Sequence, residues 1–178
     1  MTKINSFNDV VINKENPLVL CDIDDTILIY NKTLKQIYFE QKIISPNASF
    51  EELTHLANDE YYMYRILNNP FHTDEEGLKK LFEKITELNG EVIFITSRSI
   101  GAKQLTKKHF KLLGIDYENY KIHYLSNLIT KGEYIQKHIN LKERGEIIFI
   151  DNLKSNIENV ISFNPDITCY RFVYKNKK

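Results

Sequence analysis

Three separate runs of four apolar residues each stop abruptly at a polar one. Leu18-Val19-Leu20-Cys21 runs into Asp22, Val92-Ile93-Phe94-Ile95 into Thr96, and Ile147-Ile148-Phe149-Ile150 into Asp151. A run without polar alternation is the pattern of a strand buried on both faces, and helix-patterned segments lie between these runs. The arrangement predicts an α/β chain with a parallel sheet sandwiched between helices. Ligands of such sheets sit outside the carboxyl ends of the strands, so Asp22, Thr96 and Asp151 are expected along one edge. The first run continues into Asp22-Ile23-Asp24-Asp25-Thr26. Carboxylates crowded at a buried strand end repel one another unless a cation joins them, which points to a metal-dependent site.

Size and charge narrow the reading. At 178 residues one domain is expected, able to bury roughly 70% of its unfolded surface. Lys plus Arg and Asp plus Glu both number 24. That balance points to neither nucleic acid nor membrane as a partner. Lys175, Lys177 and Lys178 read as a solvated basic terminus. No segment has the length or polarity of a membrane span or signal peptide, so a cytoplasmic placement is expected. Cys21 and Cys169 fall inside apolar runs and read as reduced core residues rather than a disulfide. The five histidines are scattered without metal-ligand spacing.

Around the three runs the patterning is mostly helical. Ile4, Phe7, Val10 and Val11 fall at helical spacing and predict a short helix before Pro17. Over residues 30–72, Leu34, Ile37 and Tyr38, then Leu53, Leu56 and Ala57, predict two helices joined by a turn around Pro46. Thr73 with Glu76 forms a capping-box pair for a third helix, which Gly90 ends. Helices are expected over 102–113, closed by Gly114, over 131–139 behind Thr130, and over 153–163. A short strand over 121–125 and a late or edge strand over 168–174 complete the reading.

Phosphoryl transfer through an aspartate needs a carboxylate nucleophile, a proton donor for the leaving group, donors for the phosphoryl oxygens and a divalent cation. Each part has a candidate here. Asp22 stands at the first strand's tip to attack phosphorus, and Asp24 lies two residues on, on the same side, to handle the proton. Thr96 offers a hydroxyl, and Lys131 puts a cation in the first turn of a helix, where anions are already favoured. Asp151 completes an oxygen-lined set that suits Mg²⁺.

In this order the residues resemble the four motifs of the haloacid dehalogenase-like (HAD) superfamily. Asp22-Ile23-Asp24-Asp25-Thr26 matches its DxDxT, Thr96 the second motif, Lys131 the third and Asp151 the fourth. The resemblance implies a Rossmann-like three-layer core, an aspartyl-phosphate intermediate and Mg²⁺ dependence. It implies that Thr96 and Lys131 bind the phosphoryl group, and that the carbonyl of Asp24 joins Asp22 and Asp151 on the metal. It also implies a small helical cap, residues 30–72, inserted between the first and second motifs of a core made of 1–29 and 73–178. Ile4-Asn5-Ser6-Phe7, Thr96-Ser97-Arg98, Lys131-Gly132-Glu133 and Asp151-Asn152 further resemble an uncharacterised bacterial HAD-like group. Thr96-Ser97-Arg98 is similar to acid-phosphatase branches, in which an Arg near the second motif handles substrate.

Departures from the pattern bear on chemistry. Asn152 stands where many members carry a second acid, with Asn156 further on; an amide there holds a metal-bound water with one less negative charge. Asp24 is retained, and superfamily dehalogenases lack it, so phosphoester chemistry is favoured over carbon–halogen cleavage. Blander readings stand beside these. Asp22 and Asp24 also suit a turn cluster, Thr96 a strand-end hydroxyl, and Lys103 competes with Lys131. Arg98 suits either substrate phosphate or a surface acid. Tyr61, Tyr62, Tyr64, Phe71 and His72 suit packing better than stacking of a sugar or base. The sequence therefore predicts a Mg²⁺-dependent phosphatase acting on a small phosphomonoester. The alternatives are a weakly active or inactive binding or regulatory protein on the same scaffold, and a nucleotide or polynucleotide phosphatase. A receiver domain fits less well, because its phosphoryl-accepting Asp lies on a later strand.

Overall fold

The computed structural model describes residues 1–126 and 128–174, so Lys175, Lys177 and Lys178 lie outside the described residues. Eight strands and six helices follow in the order β1 (Thr2–Ile4), β2 (Leu18–Cys21), β3 (Leu28–Ile29), α1 (Leu34–Ile44), α2 (Phe50–Leu67), β4 (Phe71–His72), α3 (Glu75–Glu87), β5 (Glu91–Thr96), α4 (Lys103–Leu112), β6 (Lys121–Tyr124), α5 (Lys131–His138), β7 (Ile147–Asp151), α6 (Lys154–Phe163) and β8 (Thr168–Phe172).

The three apolar runs become β2, β5 and β7, neighbours at the centre of a six-stranded sheet ordered β1-β8-β7-β2-β5-β6. Every pairing in it is parallel. The pleat splits each run between two cores. Val19, Cys21, Phe94, Ile148 and Ile150 face Leu78, Leu81 and Ile85 of α3 and Phe110 of α4. Leu18, Leu20, Ile93, Ile95 and Phe149 face Ile135 of α5 and Ile157 and Val160 of α6. A strand with helices on both faces has no polar side to show, which is why these runs do not alternate. Cys21 and Cys169 are buried free thiols in opposite cores, as their apolar settings predict.

The chain runs outward from β2 through β5 to β6, then crosses back to β7 and β8. Strand order therefore reverses between β2 and β7, and a crevice opens there at the carboxyl ends. Between the first and second runs, β3 and β4 form a small antiparallel pair, and α1 and α2 are inserted between them. Both helices start on capping boxes, Thr33 with Gln36 and Ser49 with Glu52. They pack on each other and reach the body through Ile37, Ala57 and Tyr61.

Three local expectations are corrected. The opening segment is not a helix: Thr2–Ile4 pairs with β8, and only a 3₁₀ turn over Phe7–Asp9 follows. Phe7 stacks on Phe172 with ring centroids 4.6 Å apart, so the apolar spacing served strand and turn contacts. As a result β8 is interior and β1 takes the sheet edge. At α3 the cap is Asp74, which accepts from the Gly77 amide at 3.2 Å; the Thr73 hydroxyl is drawn away to the Thr26 carbonyl. Gly90 follows that helix for a steric reason, since a Cβ there would lie 2.6 Å from the Pro17 carbonyl oxygen. Gly114, at φ +68°, supplies the left-handed residue behind α4.

Candidate active site

The site grows from the turn that ends β2. The amides of Thr26, Ile27 and Leu28 all point to the Ile23 carbonyl, and Asp25 takes a left-handed φ of 56°. This fold-back aims the Thr26 hydroxyl at Asp22 Oδ2, 3.0 Å away. On the other side of the nucleophile candidate stands Lys131. Thr130 caps α5, so its first residue projects into the crevice, where Nζ donates to Asp22 Oδ1 at 2.5 Å and to Asp151 Oδ2 at 2.7 Å. Asp22, Thr96, Lys131 and Asp151 are all buried. Lys103 is exposed, so the competition between the two lysines falls to Lys131.

One cation between two buried carboxylates leaves the group short of positive charge. Burial raises the proton affinity of Asp22, Lys131 pulls it down, and Asp151 pushes it up again; the net direction is upward. Burial alone would lower that of Lys131, but the two carboxylates outweigh it and raise it. Hard oxygen donors with an unbalanced negative charge fit a hard dication such as Mg²⁺. Among the described residues no three His, Cys, Asp or Glu side chains converge as a metal cluster. The two carboxylates that Lys131 joins, Asp22 and Asp151, are the donors the geometry brings together. The backbone N–H of Asn152 donates to the Thr26 hydroxyl at 3.1 Å, and the side-chain amide of Asn156 donates to Asp151 Oδ2 at 2.9 Å.

Arg98 faces neither a surface acid nor an open crevice. It is buried and grips Asp24 with two parallel bonds, Nε to Oδ2 at 2.8 Å and Nη2 to Oδ1 at 2.7 Å. Arg65 of α2 adds a contact to Oδ1 at 3.3 Å. Burial by itself would raise the Asp24 carboxyl, yet Arg98 and then Arg65 hold it well below the usual carboxylate range. Arg98 is fixed from behind, its Nη1 donating to the Thr106 hydroxyl at 2.9 Å beside His109 Nδ1. His109 Nε2 lies 3.2 Å from the Arg65 carbonyl, which only accepts, so that nitrogen carries the proton and Nδ1 is free to accept from Tyr30 or Arg98. Burial, and then Arg98, push this histidine down to about 4. Thr96 accepts from the Arg98 amide at 3.2 Å, which closes the arc from the second run to the first.

No known family's sequence profile matches the chain, and no curated protein matches it either. Solved structures do match. A protein assigned as a beta-phosphoglucomutase from Thermotoga maritima superposes with a TM-score of 0.54 at 10% identity, covering 91% of this chain and 88% of its own. The Legionella pneumophila effector Ceg4, carrying an N-terminal yeast Hog1p sequence, gives 0.53 at 10% identity, over 95% of this chain and 92% of its own. The fold is Rossmann-like and HAD-like. At this identity the likeness speaks for the fold alone, and the parallel sheet between two helix layers agrees with it.

Within that fold, Asp22, Lys131 and Asp151 are joined at the strand tips, Thr96 ends the neighbouring strand β5, and Asp24 is turned toward Arg98 and Arg65. Sequence reasoning missed Arg65, Thr106, His109 and Tyr30. Their contacts span 41 residues between Arg65 and Asp24 and 79 between Tyr30 and His109. The one signal available was that Arg65, His109 and Thr106 sit on strongly patterned helices at positions otherwise apolar. Tyr61 and Tyr64 pack edge-on against Tyr30, while Tyr62 and Phe71 are exposed. His72 bonds the Leu113 carbonyl at 2.8 Å. No helix among the described residues is long and apolar enough to cross a membrane.

Proposed function

We propose that this chain is a Mg²⁺-dependent phosphatase that hydrolyses a small phosphomonoester through an aspartyl-phosphate intermediate. The observation that carries the reading is the buried triad of Asp22, Lys131 and Asp151 at the strand-order reversal, joined to Thr26, with Thr96 ending the adjacent strand. The T. maritima neighbour is assigned to phosphorylated-sugar chemistry, in keeping with a phosphorylated substrate.

Asp22 Oδ attacks phosphorus, the bond to the alcohol oxygen breaks, and the phosphoryl group passes to the carboxylate. Lys131 and Thr96 donate to the transferred oxygens. Asp24, held ionised by Arg98 and Arg65, is suited to take a proton from the water that hydrolyses the aspartyl-phosphate. Delivering a proton to the departing alcohol requires Asp24 to take one up first, and so requires both Arg98 and Arg65 to loosen their hold; Arg65 rides on α2. In this reading residues 30–72 are a cap over a core of 1–29 and 73–178, and the cap touches the proton-transfer residue directly. The metal would be held by Asp22, Asp151 and the Asp24 carbonyl, with Asn156 orienting Asp151, and when bound it neutralises charge on the phosphate. Uncatalysed hydrolysis is so slow that these groups together must lower the barrier by on the order of 20 kcal/mol.

The test is hydrolysis of p-nitrophenyl phosphate by wild type and Asp22→Asn, each with Mg²⁺ and with EDTA. Turnover is expected only with both the carboxylate and Mg²⁺. Undiminished turnover by Asp22→Asn refutes the mechanism.

A further inference from the structure

A cavity of about 420 Å³ lies beside the reaction centre, on the β7–β8 side of the sheet's carboxyl edge. That volume is in the range of small-molecule sites. Its walls include Asp25, Asn31, Gln36, Asn152, Arg171 and Tyr174. Two of these carry unspent hydrogen-bonding capacity of opposite kinds. Asp25 Oδ1 is buried and makes no hydrogen bond among the described residues. Arg171 uses Nε on the Asn152 carbonyl at 3.1 Å, while its two terminal nitrogens make no hydrogen bond or ion pair among the described residues.

The cavity is tied to the chemistry by short links. Asp25 follows Asp24, and Asn152 follows Asp151. The Asn152 amide bonds the Thr26 hydroxyl at 3.1 Å, and that hydroxyl bonds Asp22 at 3.0 Å. Arg171 pairs in register with Asp151 across β7 and β8. The Asp25 carboxylate lines the cavity with no hydrogen-bond donor among the described residues and can accept from a ligand hydroxyl, and a guanidinium fork is shaped for a carboxylate or phosphate. The start of α1 at the same wall adds the favourable end of a helix dipole for an anion.

We propose that this cavity is the leaving-group subsite and that it selects phosphomonoesters whose alcohol carries a second anionic group beside a hydroxyl. The second anion sits on the Arg171 fork, and the hydroxyl donates to Asp25. The proposal rests on the phosphatase reading above. It names the chemical class of alcohol, and a carboxylate and a second phosphate share the required chemistry.

Four probes separate the outcomes: 3-phosphoglycerate, glycerol 1,3-bisphosphate, glycerol 1-phosphate and p-nitrophenyl phosphate. Binding is measured by calorimetry on Asp22→Asn, which holds ligands without turnover, with and without Arg171→Gln. Kinetics are measured on wild type and Arg171→Gln. At least one of the first two probes is expected to bind about tenfold or more tighter than glycerol 1-phosphate, the effect of a charged hydrogen-bond pair. Which one does so identifies the second anion. Arg171→Gln is expected to erase that preference and lower the matching ratio of kcat/KM values, and Arg171→Lys to restore part of it. An equal affinity for all three glycerol-frame probes, or a preference that survives Arg171→Gln, overturns the subsite. Hydrolysis of p-nitrophenyl phosphate without such a preference overturns the subsite and leaves the phosphatase reading standing. Absent hydrolysis with an Arg171-dependent preference retained overturns the phosphatase reading and supports the cavity as the anion site.

Discussion

Replacing Arg98 with Met tests whether the clamp on Asp24 is structural as well as functional. Met fills most of the aliphatic stem's space but leaves Asp24 without its two parallel bonds and Thr106 without its donor. Breaking a buried ion pair from one side costs about 3–5 kcal/mol. The Arg98 side chain is 2% exposed but that of Asp24 is 25% exposed, and Arg65 stays 3.3 Å away. The lower end therefore applies, about 3 kcal/mol, or roughly 6–12 °C in Tm for a chain of this size. The pH dependence carries a sign. Arg98 depresses the folded-state proton affinity of Asp24, so the stabilisation is present above its unfolded value, near about 3.9, and fades as pH falls further. Urea unfolding of wild type and Arg98→Met is expected to show the full gap at neutral pH and a closing gap below about pH 4. A neutral-pH loss under about 1 kcal/mol, the value for an exposed pair, refutes the reasoning. A gap that does not change in acid refutes it equally.

Two further outcomes follow from the same geometry. His109 is pushed down to about 4 by burial and Arg98, so its contribution is complete above the unfolded value near about 6.5 and is lost as pH falls toward 4. That amounts to about 3 kcal/mol, and His109→Gln is expected to flatten the urea-derived stability profile across that window; an unchanged slope counts against a neutral buried imidazole. Lys131→Met removes the cation that bridges Asp22 and Asp151. Its Tm is expected to fall, and added Mg²⁺ to raise that Tm by more than it raises the wild type's, because two uncompensated carboxylates bind a dication more tightly. Equal Mg²⁺ shifts in a thermal melt would remove Asp22 and Asp151 as the metal's ligands.

What was readable in the chain were features set by near neighbours. The unbroken apolar runs announced strands covered on both faces, and Thr130 and Lys131 marked the start of α5. Residues that end such runs lie at one sheet edge when the strands of that sheet are parallel, so the runs alone place Asp22, Thr96 and Asp151 along the same edge. Misreadings occurred where one pattern serves two structures. Ile4, Phe7 and Val10 fit a helix face, yet the unpaired rim of β8 accepted Thr2–Ile4 as a strand. Thr73 had cap chemistry, but the Thr26 carbonyl competed for its hydroxyl.

The sequence by itself determined the layer architecture and the identities of the groups at the strand tips, because burial and alternation act over a few residues. Tertiary structure decided how those groups are paired. It gave Arg98 to Asp24 instead of to a surface acid, brought Arg65 from α2 onto the same carboxylate, and set the Asn156 amide on Asp151. Such pairings depend on where distant helices dock, and docking is set by the fit of two whole cores, which no local spacing encodes.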